Sequence, residues 1–350
     1  MAFRRKYSWA GFAGFRHGRQ SGFFAQSDAQ AYPHVIASAA KQIQNPSCGN
    51  SLDCFCFARN GGNSVEKGIQ TMFETGLLRD KRILVTGGGS GLGAAMGRRF
   101  LTLGADLVIC GRKLDRLEAT AIEMRAQTGG KVTTIACDVR DGAAVDDMMD
   151  AIWREAPLDI LVNNAAATFI AQSEHLSFRA ADAILAPTLH GAMYCTLAAG
   201  KRWIDGRHNG VVLSILSTST ITGRAFTVPS AMAKSAVLAM TKSLAVEWGP
   251  KGIRTAAIAP GPFPTAGASG QLRPEGRNEG WTARNPMGRT GEHSELADLA
   301  SFLVSDRAGY INGEMVVIDG GAHLRSSGAE DLLRWTDAQW SEQRAARSKG

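Results

Sequence analysis

The chain has 350 residues, of which 44% are hydrophobic and 20% are charged, which suits one medium-sized α/β domain with a real core. It contains no apolar run long enough to span a bilayer, so we expect no membrane segment. The net charge of +7 is compatible with a nucleic-acid partner, but residues 1–71 contain eight Lys or Arg and three Asp or Glu and so supply +5 of that charge. The remaining charge of +2 is ordinary, so we expect no nucleic-acid partner.

The first 71 residues lack helical or strand periodicity and are rich in Gly, Ser, Asn and Gln. Their first 26 residues include five basic residues and no acidic one, as in a mitochondrial transit peptide; a mitochondrial matrix location would then follow. We favour the other interpretation, a misassigned start with the natural chain beginning near Met72 in a bacterial cytoplasm. In either case we expect 1–71 to be a disordered, dispensable extension, 72–325 the folded domain and 326–350 a tail or helix.

The cysteines predict reduced thiols. Cys110, Cys137 and Cys195 lie in or beside apolar stretches, as buried thiols do in a reducing compartment. Cys54 and Cys56 have no histidine or second cysteine pair near them, so we expect no metal site.

A cofactor-binding turn is the first strong signal along the chain. A short apolar strand at 81–85 runs into a glycine-rich turn and then a helix from about 94 to 103. This arrangement places a pyrophosphate at a helix N-terminus, and glycine lets the backbone approach the phosphates. The turn residues expected to bind the cofactor are Gly87, Gly89, Ser90, Gly91, Leu92 and Gly93.

The second predicted strand, at 106–110, indicates which cofactor is bound. It ends at Arg112 and Lys113, where an acidic residue would bind the ribose 2′-hydroxyl of NAD. Positive charge suits a 2′-phosphate instead, so the sequence predicts NADP.

The remaining elements repeat the alternation of strand and helix. Strands are predicted at 132–137, 160–162, 210–215, 253–258 and 314–318, and a long helix from about 230 to 249. The pattern predicts a Rossmann-type, doubly wound parallel sheet in a single α/β domain.

Three motifs together resemble the short-chain dehydrogenase/reductase family: the glycine-rich turn, Asn163-Asn164-Ala165-Ala166 after the fourth strand, and Lys234 on the long helix. The family usually has a tyrosine four residues before the lysine. Here that residue is Ser230, whose hydroxyl is far less acidic than a phenol of pKa about 10. The 2,4-dienoyl-CoA reductases of the mitochondrial type, and their bacterial relatives, also have serine there. The stretches similar to theirs include Pro229-Ser230-Ala231, Glu247-Trp248-Gly249, Pro260-Gly261-Pro262, Ile311-Asn312-Gly313 and Asp319-Gly320-Gly321.

The resemblance implies further cofactor contacts. Asp138 and Val139 would lie against the adenine ring, Asn164 and Ala165 would line the pocket, and Lys234 would bind the nicotinamide ribose. The turn after the sixth strand would contact the nicotinamide side through Pro260, Gly261, Pro262 and Phe263.

The resemblance also implies the chemistry. NADPH would deliver hydride to the distal end of a conjugated dienoyl thioester, and hydrogen-bond donors would hold the charge that develops on the thioester oxygen. Lys234 would lend positive field, Ser230 would orient the thioester or a water, and Ser217 stands at the family's active-site serine or threonine position.

The sequence departs from that branch of the family at three positions. Ser219 stands in place of its catalytic tyrosine, and His190 in place of an active-site asparagine. Gln271 stands in place of an arginine that helps to bind the CoA phosphates, with Arg273 two residues on. A histidine can donate a hydrogen bond and is the residue type that changes charge near neutral pH, so His190 can replace the missing donor, with Ser217, Ser219 and Thr220 as weaker candidates. The alternative for His190 is an ordinary helix histidine satisfied by backbone or water.

Three residues are expected at the acyl-CoA substrate. Arg140 and Arg273 offer positive charge for CoA, and Gly191 follows His190. Arg140 has the alternative of being an ordinary solvated arginine.

The favoured function is NADPH-dependent reduction of 2,4-dienoyl-CoA in fatty-acid β-oxidation. The alternatives are a reductase of another acyl-CoA or carbonyl substrate, with His190 as the acid, and a catalytically silent NADP-binding protein. The family usually forms homotetramers through its long helices, so we expect one here. Core and interface could share the apolar positions Val237, Leu238, Met240, Thr241, Leu244 and Ala245.

Overall fold

The computed structural model describes residues 74–265, 282, 285–325, 332 and 335–347. The expectations for residues 1–71, for Gln271 and for Arg273 lie outside these residues. No helix in the described part of the chain is long and apolar enough to cross a membrane.

Within the described residues, seven parallel strands form one sheet in the order β3-β2-β1-β4-β5-β6-β7. The order runs outward in both directions from β1 and β4, which confirms the predicted doubly wound sheet. The strands are β1 Arg82–Thr86, β2 Asp106–Gly111, β3 Val132–Ala136, β4 Ile160–Asn163, β5 Gly210–Ile215, β6 Ile253–Pro260 and β7 Glu314–Ile318.

Helices cover both faces of the sheet. The longer ones are α1 Gly91–Thr102, α2 Leu114–Thr128, α3 Gly142–Glu155, α4 Phe178–Leu185, α5 Gly191–Gly206, α6 Val228–Trp248, α7 His293–Val304 and α8 Asp337–Arg347.

The two faces of β1 show why this sequence forms an internal strand. Ile83 and Val85 pack into the core that contains Phe100 of α1, whereas Leu84 packs into the core that contains Met149 of α3. A strand covered on both faces needs a continuous apolar run rather than an alternating pattern, and β1 is buried along its whole length.

The segment between α4 and α5 is a π-helical turn, Ala186–His190, with Pro187 in it. Proline has no N–H to donate within a helix and its ring crowds the preceding turn, so an α-helix running through this point must rearrange. The sequence pattern did not predict this turn. Because π-helical turns frequently mark functional sites, its position next to the carboxyl ends of the strands is informative.

Candidate active site

The glycine-rich turn between β1 and α1 has the backbone that phosphate binding requires. Gly87 and Gly91 adopt φ values of +66° and +54°, in the left-handed region that glycine tolerates without strain. A Cβ on Gly93 would lie 2.6 Å from the Gly87 carbonyl oxygen and from the Asn164 side chain. The glycines therefore keep the turn closely packed and leave backbone rather than side chains at the N-terminus of α1, where a pyrophosphate would bind.

Asn164 and Thr86 hold this turn in place. The Asn164 amide group donates to the carbonyl oxygens of Thr86, at 2.9 Å, and of Gly87, at 3.3 Å. The Thr86 hydroxyl accepts from the backbone N–H groups of Asn164 and Ala165, both at 3.0 Å. The segment after β4 thus fixes the geometry of the cofactor turn.

The end of β2 presents positive charge to solvent. Arg112 and Lys113 are both exposed where β2 leads into α2. Lys113 also occupies the N-cap position of α2 and makes no side-chain capping bond there. A cation at a helix N-terminus is unfavourable in the field of the helix dipole, and a bound phosphate would compensate for it. The residues at this position therefore fit the 2′-phosphate of NADP.

Asp138 and Arg140, predicted to contact the cofactor and the substrate respectively, pair with each other. The Arg140 Nε atom lies 2.9 Å and 3.0 Å from the two carboxylate oxygens of Asp138. The hydrogen bond from Arg140 lowers the pKa of Asp138, and the nearby charge of Arg112 adds to the effect. Arg140 thus holds this carboxylate ionised beside the predicted adenine wall.

Gly191 is buried against the same wall. A Cβ at this position would lie 2.6 Å from the Val139 Cγ2 atom, so glycine is needed for the first turn of α5 to pack there. The backbone that follows the π-helical turn therefore contacts the wall predicted for the adenine ring.

Lys234 lies in the interior at the carboxyl end of β5. Its side chain is 8% exposed, and its Nζ atom donates to the carbonyl oxygen of Ile215, the last residue of β5. Burial lowers the pKa of Lys234 from 10.5 to about 8, because desolvation penalises the ammonium form. Ser230 lies one helical turn earlier on α6 and is half-buried.

Ser217 and Ser219 lie in a tight turn after β5. The backbone N–H of Ser219 donates to the Ser217 hydroxyl oxygen at 3.3 Å, and Ser219 is 7% exposed. The Thr220 hydroxyl donates to the Ser217 carbonyl oxygen at 2.8 Å, which holds the turn closed. The structure thereby places two serine hydroxyls and the Lys234 ammonium group at the carboxyl end of one strand.

His190 ends the π-helical turn and is exposed. Its ring stacks on Tyr194 with a centroid distance of 6.0 Å and an interplanar angle of 25°. The two rings meet because His190 and Tyr194 lie one helical turn apart on the same face.

The turn after β6 is held against the end of β7. The Gly261 N–H donates to the Ile318 carbonyl oxygen at 2.9 Å, and a Cβ on Gly261 would lie 2.5 Å from the Asp319 Cβ atom. The Pro262 carbonyl oxygen accepts from the N–H of Gly291 at 3.0 Å, and the Phe263 ring packs against that glycine. These contacts hold the residues that were predicted to contact the nicotinamide at the carboxyl edge of the sheet.

Thr265, at the end of the turn after β6, makes a contact that the sequence did not predict. Its Cγ2 atom lies 3.3 Å from the position that a Cβ on Gly91 would take, so it closes over the start of α1. The contact joins segments more than 170 residues apart, so no local pattern indicates it.

A separate cleft of about 380 Å³ lies at the opposite, amino-terminal edge of the sheet. Its charged groups are already engaged: Lys81 pairs with Asp306, and Arg254 donates to the carbonyl oxygens of Leu303 and Ser305. Ligands of doubly wound sheets bind at the carboxyl edge, so we place the active site there and assign nothing to the cleft.

Comparison with known proteins identifies the family of the chain. Residues 87–323 match the family model described as enoyl-(acyl carrier protein) reductase. An oxidoreductase of Caenorhabditis elegans is 42% identical over 76% of this chain and 88% of its own. A Bacillus subtilis protein named a probable 2,4-dienoyl-CoA reductase, (2E)-enoyl-CoA-producing, is 40% identical over 71% of this chain and 98% of its own.

Solved structures agree as well. A short-chain dehydrogenase of Bacillus anthracis shares 39% identity and a TM-score of 0.65, covering 70% of this chain and 98% of its own. A second structure, from Agrobacterium tumefaciens, has bound NADP and is described as a 2-deoxy-D-gluconate 3-dehydrogenase; it shares 32% identity and a TM-score of 0.66, covering 72% of this chain and 100% of its own. The chain therefore belongs to the short-chain dehydrogenase/reductase family of oxidoreductases.

Proposed function

We propose that this protein is an NADPH-dependent reductase of 2,4-dienoyl-CoA thioesters that serves fatty-acid β-oxidation. The observation that carries the proposal is the pairing of Lys234 with Ser230, not tyrosine, one turn earlier on α6. Reduction of a carbonyl group needs an acid that protonates the developing alcohol oxygen, and a serine hydroxyl is too weakly acidic to replace the tyrosine phenol in that role. Reduction of a diene adds its proton to carbon and needs no such acid. Relatives named 2,4-dienoyl-CoA reductases, 38–40% identical to this chain, support the same assignment.

The chain's own residues would hold NADPH along the carboxyl edge of the sheet. The turn at Gly87 and Gly91 would bind the pyrophosphate, Arg112 and Lys113 the 2′-phosphate, and Asp138 the adenine side. When bound, NADPH supplies the hydride that reduces the distal double bond of the diene.

Reduction of the distal carbon places negative charge on the thioester oxygen as a dienolate. With its pKa lowered to about 8, Lys234 remains mainly protonated at pH 7, and its charge acts through a water-poor interior. The hydroxyls of Ser217, Ser219 and Ser230 can donate to the same oxygen. Lys234 therefore supplies the field, and the serines orient the thioester.

The dienolate must then take one proton on carbon. Protonation at the α-carbon gives a 3-enoyl thioester, and protonation at the γ-carbon gives a 2-enoyl thioester; the names of relatives include both products. We assign the proton to His190, directly or through water, because its imidazole is exposed at the end of the π-helical turn, can carry a proton and stacks on Tyr194.

Positive charge near the site would meet the CoA phosphates. Arg140 is exposed beside the adenine wall, and its pairing with Asp138 holds the guanidinium at a fixed position. Gly191 brings the backbone of α5 close to the same wall, and Arg273 would add a second cation.

The proposal is tested by following NADPH oxidation with a panel of 2,4-dienoyl-CoA substrates, with NADH as the cofactor control and with product analysis for double-bond position. We expect turnover with NADPH and a preference over NADH of tenfold or more, because one charged hydrogen bond contributes about 1.5–3 kcal/mol. His190→Ala should lower kcat by about 10²-fold while NADPH affinity stays unchanged.

The other outcomes identify the alternatives. Preferential turnover of ketones or other enoyl thioesters would show a different reductase of the same family. Tight NADPH binding with no turnover of any thioester or carbonyl, and no effect of His190→Ala, would show a silent cofactor-binding protein.

A further inference from the structure

Two loops at the carboxyl edge of the sheet are joined beside the catalytic residues. One follows β4 and the other precedes α6. The backbone N–H of Ala171 in the first loop donates to the carbonyl oxygen of Phe226 in the second at 3.0 Å. The hydrogen bond fixes Ile170, the neighbour of Ala171, close to Phe226 in space.

The joined loops and the turn that carries Ser219 expose apolar side chains. We call this surface the apolar lip; its members are Ile170, Ile221 and Phe226, which are between 37% and 54% exposed. Single exposed apolar residues are ordinary, but three on segments that adjoin one site point to a binding surface.

Phe226 is held in a strained backbone conformation. Its φ of +64° lies in the left-handed region, which is unfavourable for a bulky residue. Gly223, three residues earlier, has a similar φ of +66°, which glycine adopts without strain. Keeping phenylalanine in such a conformation indicates that its side chain serves a purpose at this point of the surface.

The lip adjoins the catalytic residues along the chain. Ile221 follows Ser219 by two residues, and Phe226 precedes Ser230 by four. A thioester that reaches Ser219 and Lys234 with its reacting carbons would therefore extend its remaining hydrocarbon chain toward these apolar side chains.

We propose that the apolar lip binds the acyl chain beyond the reacting carbons, and that Phe226 with Ile170 sets the preference for chain length. The inference rests on the proposed function, because it takes the substrate to be an acyl thioester. The continuity of the lip with the catalytic residues favours an acyl chain over a second copy of this protein as the occupant. Each methylene that the lip covers should strengthen binding about threefold to fourfold.

The test measures binding of saturated acyl-CoA thioesters of 4 to 16 carbons by calorimetry with NADP⁺ present, beside kcat/KM for dienoyl-CoA substrates of matching length. Wild type should bind longer chains more tightly up to a limiting length. Phe226→Ala should lose about tenfold or more affinity for the longer chains and less than twofold for the four-carbon chain, which the lip does not reach. Phe226→Leu should restore part of the length dependence.

Phe226→Gly separates the side chain from the backbone. It should lose the length dependence as Phe226→Ala does, yet melt at a higher temperature than Phe226→Ala because glycine relieves the positive φ. Ile122→Ala is the matched control, because Ile122 is 62% exposed on α2, outside the lip, and its variant should bind as wild type does.

Unchanged length dependence in Phe226→Ala would overturn the inference. If that variant instead changed the molecular mass in solution, the lip would be an interface between copies. Length-dependent binding in wild type without dienoyl-CoA turnover would uphold the lip and refute the proposed function. Absence of acyl-CoA binding would refute the lip itself.

Discussion

Lys234 places a cation in the interior with a backbone carbonyl, that of Ile215, as its hydrogen-bond partner. Burying an ammonium group without a carboxylate is unfavourable, and the fold tolerates it at Lys234. The lowered pKa of Lys234, about 8, is the measurable sign of that penalty.

The penalty predicts a pH-dependent gain in stability for Lys234→Met. The pKa of Lys234 is about 8 in the folded protein and 10.5 for a lysine exposed to water, so between these values the unfolded chain binds the extra proton and wild-type stability rises with pH. Below pH 8 the full penalty applies, so the variant should exceed wild type by up to about 3 kcal/mol at pH 7. The difference in the free energy of unfolding between the variant and wild type should fall toward zero as the pH approaches 10.5, and urea unfolding across that range would measure it.

Lys201→Met on α5 is the matched control, because Lys201 is exposed. Its difference from wild type should not change with pH. A Lys234→Met difference that stayed constant from pH 7 to 10.5 would contradict a lowered pKa.

Among the elements, α5 and α6 are packed so closely that one glycine decides their distance. A Cβ on Gly200 would lie 2.3 Å from the buried Trp248 ring. This contact therefore sets the distance between α5 and the C-terminal end of α6, the helix that also carries Ser230 and Lys234.

Gly200→Ala should therefore destabilise the protein by about 1–3 kcal/mol through overpacking, although alanine favours a helix. Gly142→Ala at the start of α3 is the control, because its Cβ would meet only the Tyr194 ring, at 3.9 Å. That variant should stay within about 1 kcal/mol of wild type. Equal melting temperatures for Gly200→Ala and wild type would show that the helices can move apart.

The strands were predictable because most are short apolar runs bounded by polar or glycine residues, and all seven lie within two residues of where the pattern placed them. The π-helical turn was not predictable. Such a turn adds a residue and rotates the next helical segment by about 100° relative to a continuous helix, so the direction of His190 could not be read from spacing.

At the scale of the whole molecule, the structure separates core positions from surface positions on α6. Val237, Thr241 and Leu244 are buried within the subunit, whereas Val246 is 79% exposed. Leu197 on α5 is also exposed, so these neighbouring helices carry apolar surface that a subunit contact would cover.

We expect light scattering to give about four chain masses for the full protein and for Met72–Gly350. Val246→Asp should lower that mass, because a charge in a subunit contact is unfavourable, whereas Ile122→Asp on exposed α2 should not. A monomer in wild type would contradict the tetramer, and loss of NADPH binding in Met72–Gly350 would show that residues 1–71 are required.

The sequence by itself determined the sheet, the glycine turn and the replacement of tyrosine by Ser230, because apolar runs, glycine and spacing along one helix are local properties. It did not determine that Asp138 pairs with Arg140, that Thr265 closes over Gly91, or that Ala171 binds Phe226. Those contacts depend on how separate loops meet at one edge of the sheet. Only the tertiary structure decided them, because the direction of a side chain follows from packing between segments that are far apart in the chain.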